Sequence, residues 1–169
     1  VQAAADWDTY VTVHIYHAAG IKRALNAGVK CIDHGHLIDE EAMKLLKEKN
    51  AWLVPQSFWS LTPDSVIDKY PPHRAKKMRQ VYAGAITEME LAKKYDVNIA
   101  FGTDAFGPLG GEEKALKEFT SRNRWYSPTE ILKQATSNNA ALFGMSGKLN
   151  PYTEGKLGVI EKGAYADLL

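Results

Sequence analysis

The chain has 169 residues, well short of the about 250 that a closed eight-stranded β/α barrel takes, so any barrel reading is a partial one. At 45 % hydrophobic and 24 % charged residues it has enough apolar side chains for one sizeable core, which excludes disorder for its bulk. A formal net charge of +1 supplies no field to hold nucleic acid or anionic lipid without specific contacts.

No apolar run reaches the roughly 18 residues of a membrane helix, and Val1 to Asp8 lacks the basic flank and apolar core of a signal peptide. A soluble, cytoplasmic location is therefore the default expectation. The lone cysteine, Cys31, excludes an internal disulfide and a cysteine-based zinc cluster, which leaves histidines and carboxylates as metal donors.

Along the chain, the β-branched run Tyr10 to His14 reads as a strand, and Ile21, Ala24 and Leu25 follow at helical spacing up to Gly28. Lys30 to His34 begins a second unit, with Asp39 as N-cap of a helix whose Ala42, Met43 and Leu46 share a face. Ala51 to Pro55 reads as a third strand. After a loop carrying Phe58 and Trp59 comes a long helix with Ala75, Met78, Tyr82, Ala85, Met89 and Ala92 on one stripe. Val97 to Phe101 is the fourth strand and runs into Gly102-Thr103-Asp104. Ser127-Pro128-Thr129-Glu130 is a capping box that opens a helix, and Gly144 can end it. From Gly155 to Leu169 two short apolar runs flank Glu161-Lys162-Gly163, the pattern of a hairpin. The last run stops without a terminating signal, so the chain reads as cut at both ends.

Strands alternating with helices imply an α/β fold with a parallel sheet, either doubly wound or part of a barrel. In both, the strand ends lie on one rim, where active sites are built. His14, His17, His34 and His36 fall at or just past the ends of the first two strands, and Asp104 at the equivalent point after the fourth. Taken singly, each has a structural reading: a histidine donating to a carbonyl, an aspartate capping the next helix. Together, imidazoles and a carboxylate suit zinc or a similar divalent ion, and they favour metal-assisted hydrolysis.

The segments Val13-His14-Ile15-Tyr16, Asp33-His34-Gly35-His36-Leu37-Ile38-Asp39 and Gly102-Thr103-Asp104, in that order, resemble the C-terminal half of the amidohydrolase superfamily. The closest likeness is to its prolidase-like and imidazolonepropionase-related branch. The tail from Gly155 resembles the strands with which that family's chain re-enters a small β-sandwich. The resemblance implies a partial (β/α)8 TIM-like barrel, strands five to eight, over residues 1–150, followed over 151–169 by the start of a sandwich segment.

It also implies one or two divalent metals, most often zinc, with His14 and His34 on one ion and Asp104 on the other. Asp104 would further move the proton from the nucleophilic water to the leaving nitrogen. The implied reaction is hydrolysis of the amide bond of a dipeptide or N-acyl amino acid, with cyclic amides and lactones open. The family's His-x-His pair and bridging lysine have no match here, so the upstream half of the same polypeptide is an expected partner; self-association into a homo-oligomer stays open. The competing reading is a half-barrel that binds without catalysing, its histidines structural. An aldolase- or epimerase-type barrel would want a strand-end lysine, and these strands end in none.

Tyr16 and His36 are the expected substrate-binding residues: Tyr16 to polarise a carbonyl or hold a carboxylate, His36 to contact substrate or to bond the loop backbone. Phe58 and Trp59 suit either a pocket wall or loop core. Arg122 and Arg124, beside Trp125 and Tyr126, suit either a carboxylate clamp or a solvated helix end. His17 and His73 read as helix start and exposed helix face, and Cys31 as packing against a helix. The glycine-rich stretch from Ala105 to Gly111 suits a mobile segment over the site or a plain connection.

Overall fold

The computed structural model describes residues 1–105 and 111–166. After a short first helix, α1 (Gln2–Ala5), come β1 (Thr12–His17), α2 (Ala18–Asn26), β2 (Cys31–Leu37), α3 (Glu40–Glu48) and β3 (Trp52–Val54). A 3-10 turn (Ser57–Leu61) and α4 (Asp64–Ile67) lead into the long α5 (Pro72–Tyr95), then β4 (Asn98–Ile99) and α6 (Gly111–Arg122). The chain closes with α7 (Pro128–Lys133), a π-helical turn (Gln134–Asn138), α8 (Asn139–Gly144) and a second 3-10 turn (Gly147–Leu149).

The strands form one parallel sheet in the order β1-β2-β3-β4. A doubly wound sheet reverses direction from its first strand, whereas this sequential order is that of successive units in a barrel wall. Helices therefore cover one face. Ile21 and Leu25 of α2, Met43 and Leu46 of α3, and Met89 and Ala92 of α5 pack there on Ile32, Leu53 and Ile99.

Local signals set the helix ends. Asp39 caps α3 by accepting from the Ala42 amide at 2.7 Å. Gly28 takes the left-handed conformation after α2 (φ 94°). Ser127 and Glu130 form the reciprocal capping box, with Pro128 first in the helix. The helix expected from there to Gly144 is interrupted by the π turn, beside which the side chains of Asn138 and Asn139 bond the backbone of β4 and of Phe101 just beyond it. Asn138 donates to the Ile99 carbonyl at 2.8 Å, while Asn139 accepts from the Phe101 amide at 2.7 Å and donates to its carbonyl at 3.0 Å.

Three expectations change, and a fourth lies outside the described residues. The first two strands run on to His17 and Leu37, so His14 and His34, expected at the strand ends, and His36, expected just past one, all lie within strands. Cys31 is buried, yet it shares the face of Thr12 and Asp33, away from the helices, because it is in register with Thr12 and contacts Asp33 at 3.9 Å. Burial pushes its thiol up to about 12. Residues 155–166 run in bends and turns rather than paired strands, with the Tyr165 amide donating to the Lys156 carbonyl at 2.9 Å and the Ala164 amide to the Glu161 carbonyl at 3.1 Å. The glycine-rich stretch falls largely on residues 106–110, outside the described residues. Among the described residues no helix is long and apolar enough to cross a membrane.

Candidate active site

The register of β1 and β2 creates a problem that the backbone then solves. His14 is paired with Asp33 and Ile15 with His34, and side chains in register point to the same face of a sheet. A regular β2 would thus send the His34 ring to the helix side, with Ile15. Instead β2 carries one extra residue against β1, since Ile15 pairs with His34 but His17 pairs with Leu37. The bulge is built from His34 (φ 72°) and Gly35 (φ 82°), both left-handed. Histidine tolerates that region better than most residues, and glycine freely.

The bulge turns the His34 ring onto His14. The two ring centroids are 4.2 Å apart, and His34 Nε2 lies 2.7 Å from His14 Nδ1. His34 Nδ1 donates to Gln56 Oε1 at 2.7 Å. The Gln56 amide is itself oriented by its NH2, which donates to the Val54 carbonyl at 2.7 Å. With the proton held on Nδ1, Nε2 keeps its lone pair and aims it at His14. Burial, with the neighbouring His14 and His36, lowers the His34 pKa against the raising effects of Gln56 and Asp104, which favours the same neutral ring.

Tyr16 stacks on His34 with ring centroids 4.9 Å apart and planes 4° from parallel, and it meets His14 edge-on at 5.2 Å. Burial, then the charges of Asp104 and Glu88, raise its pKa, so the phenol keeps its proton and serves as a donor. His36 is 1 % exposed, and its Nδ1 lies 2.7 Å from Oε2 of Glu88, a fully buried carboxyl on α5. His36 Nε2 and Glu88 Oε1 have no partner among the described residues. Burial raises the Glu88 pKa against the lowering effect of His36. Helix α5 reaches His36 because of Gly84: a Cβ there would stand 2.0 Å from the His36 carbonyl oxygen.

Asp104 is exposed, in the left-handed region (φ 48°), on the stretch that Asn138 and Asn139 hold from behind. With Tyr16 and His36 it borders a cavity of about 240 Å³, whose other walls are Trp59 and the α5 residues Arg74, Lys77, Met78, Val81 and Tyr82. The structure thus brings His14, Tyr16, His34 and His36 into one cluster and sets Asp104 on the cavity that Tyr16 and His36 line.

His17 and His73 lie outside this cluster, exposed at the start of α2 and on α5. Phe58 is buried, whereas Trp59 faces the cavity, stacked on Tyr82 at 5.7 Å. Arg122 is neither clamp nor solvated end. Fully buried, it donates to Glu118 at 2.5 Å, Gln134 at 2.7 Å and the Pro55 carbonyl at 2.7 Å. Glu118 in turn accepts from the Ser57 and Phe58 amides at 3.1 and 2.9 Å. The pair therefore grips the backbone on both sides of Gln56. Arg124 is exposed beside Trp125.

Gln56, Glu88, Arg74 and Lys77 escaped the sequence reading. Only Glu88 gave a signal, as a carboxylate directly beside Met89 on an apolar stripe.

The donor chemistry fits part of a divalent-metal site: two imidazole nitrogens face one another, one held in the ligating tautomer by a neighbouring amide, the usual arrangement behind a metal-bound histidine. Among the described residues no third histidine, cysteine or carboxylate completes a shell.

A model of the amidohydrolase family matches residues 1–169. Ochratoxinase of Aspergillus niger is 27 % identical over 173 aligned residues, covering 99 % of this chain and 36 % of its own. A crystal structure titled as an amidohydrolase superposes with a TM-score of 0.79 at 35 % identity, covering 98 % of this chain and 38 % of that one. One of a prolidase complexed with N-methylphosphonate-L-proline gives 0.78 at 33 %, covering 99 % and 39 %. The chain thus spans well under half the length of the relatives it matches, and it belongs to the amidohydrolase family.

Proposed function

We propose that this chain supplies strands five to eight of a (β/α)8 barrel and the start of a β-sandwich segment, and that the complete protein is a metal-dependent amidohydrolase. Its substrate is an amide whose C–N bond joins an acyl group to an amino acid, as in a dipeptide or N-acyl amino acid. The observation that carries the reading is the His14–His34 contact, with Gln56 fixing the tautomer, on the rim shared with Asp104. The names of the prolidase and the ochratoxinase, proteins similar in sequence over this chain, agree with it.

His14 and His34 would hold one divalent ion, zinc being the first choice for imidazole and carboxylate donors, with Asp104 on a second ion or beside the first. When bound, such an ion supplies a nucleophile at neutral pH and polarises the carbonyl under attack. The remaining work falls to this chain's own groups. The Asp104 carboxylate takes the proton from the attacking water and delivers it to the departing nitrogen, which would otherwise leave as a poor amide anion. The Tyr16 hydroxyl donates to the carbonyl oxygen and turns the carbon toward attack. His36, braced by Glu88, borders the same space and contacts the substrate.

The test uses the complete protein. Zinc analysis should show bound metal that His14→Ala and His34→Ala reduce, and a chelator should abolish hydrolysis of a dipeptide panel and of N-acetyl amino acids. Undiminished hydrolysis by protein shown to be metal-free would refute the reading.

A further inference from the structure

The sheet gives the bulge of β2 little support. Pairing with β1 steps from Ile15–His34 to His17–Leu37, so Gly35 and His36 fall opposite the single residue Tyr16, and pairing with β3 stops at Asp33–Val54. Locally, the Gly35 carbonyl accepts from the Ile38 amide at 2.8 Å. His34, a non-glycine residue in the left-handed region, keeps that conformation only where its surroundings hold it.

Helix α5 supplies the hold at two points one turn apart. At Gly84 the helix backbone comes so close that no Cβ fits against the His36 carbonyl. At Glu88 the carboxyl reaches both residues that follow His34. Its Oε2 hydrogen-bonds His36 Nδ1 at 2.7 Å, and its Oε1 stands 2.7 Å from where a Cβ on Gly35 would be.

Glu88 is fully buried, and its Oε1 has no hydrogen-bond partner among the described residues. A buried carboxyl satisfied on one oxygen alone lowers stability, and an apolar pair in place of Glu88 and His36 would often serve a fold as well or better. Met89 and Ala92 already pack α5 onto the sheet. What Glu88 adds is a grip on residues 35 and 36.

We propose that Glu88, seated by Gly84, is a positioning residue for the metal-binding pair: it keeps the bulge of β2 and so keeps the His34 ring turned onto His14. Gln56 sets the tautomer of that ring, and Glu88 sets the backbone from which the ring springs. The consequence for metal binding rests on the hydrolase reading above; the grip on the bulge does not.

The experiment uses the complete protein and three variants. Glu88→Gln keeps a bond to Nδ1 whichever atom carries the proton, and Glu88→Leu removes it. His36→Leu/Glu88→Leu removes both partners and leaves neither buried and unpaired, so it can be read even where the single leucine variant fails to fold. Zinc affinity is measured by competition with a chromophoric chelator, the cobalt(II)-substituted protein gives its absorption spectrum, and hydrogen–deuterium exchange follows residues 33–38 of the metal-free protein. Both leucine variants should bind zinc about 10–100-fold more weakly, the range for losing a support behind a ligand. Their cobalt spectra should change and their exchange over residues 33–38 should speed up, while Glu88→Gln stays within a few-fold of the parent.

Zinc affinity unmoved in folded leucine variants overturns the assignment and leaves the metal reading standing. Exchange that rises evenly over the whole sheet also overturns it, since Glu88 would then serve stability alone. Exchange that speeds only around the bulge, in a protein whose parent binds no zinc, supports the grip and removes the metal reading instead.

Discussion

Gln56 decides which nitrogen of His34 keeps a proton, and its own amide is locked by the Val54 carbonyl, so the lone pair on Nε2 is a built feature. Gln56→Leu retains bulk and removes the acceptor. Metal affinity of the complete protein should fall about 10–100-fold, the range for losing such a support, measured by competition with a chromophoric chelator. Unchanged affinity would mean that packing alone orients the ring. Asp104→Asn tests the proton carrier: with metal saturated, kcat should fall by roughly two to four orders of magnitude while the melting temperature holds. Cys31 gives a pH prediction. Its folded-state pKa, raised to about 12, keeps the thiol protonated well above the range where a free cysteine ionises. Iodoacetamide at pH 8 should therefore label the unfolded chain readily and the native chain scarcely at all.

At the scale of elements, the site depends on devices that fix where strands end and which way residues face. Arg122 and Glu118 on α6 hold the Pro55 carbonyl and the Ser57 amide, the two neighbours of Gln56, and the same grip seats the turn that presents Trp59. Removing one partner leaves an uncompensated buried charge, so Arg122→Ala should cost about 3–5 kcal/mol in urea denaturation. A loss under 1 kcal/mol would show that the pair is dispensable.

The strand–helix rhythm, the Asp39 and Ser127 caps and the α5 stripe were legible in the sequence because each is a local pattern with a local cause. The closeness of His14 and His34 was legible from their places near the ends of adjacent strands. The details that join them were not. His36 meets Glu88 across 52 residues, and the grip on Ser57 spans 61, so only the packed fold makes these neighbours. The β2 bulge did leave a trace: a glycine inside a strand pattern, at Gly35, marks such sites.

At the scale of the whole molecule, the sequential sheet sets helices on one face and leaves Thr12, Asp33 and their neighbours on the other, partly exposed. In the proposed barrel that face would line the interior, and the edges of β1 and β4, unpaired among the described residues, would take further strands. Residues 1–169 expressed alone should accordingly be poorly soluble, and supplying the remainder of the proposed barrel, fused or as a second chain, should restore solubility; light scattering reads this directly. A monodisperse, cooperatively melting fragment would show that this face tolerates water.

The extra residue of β2 also means that chemistry and architecture come apart at a single position. Deleting Gly35 would return the strand to even pleating with its pairing to β1 intact, and would swing His34 from the side of His14 to that of Ile15. A length difference of one residue at this point is therefore enough to leave the same sheet without its histidine pair.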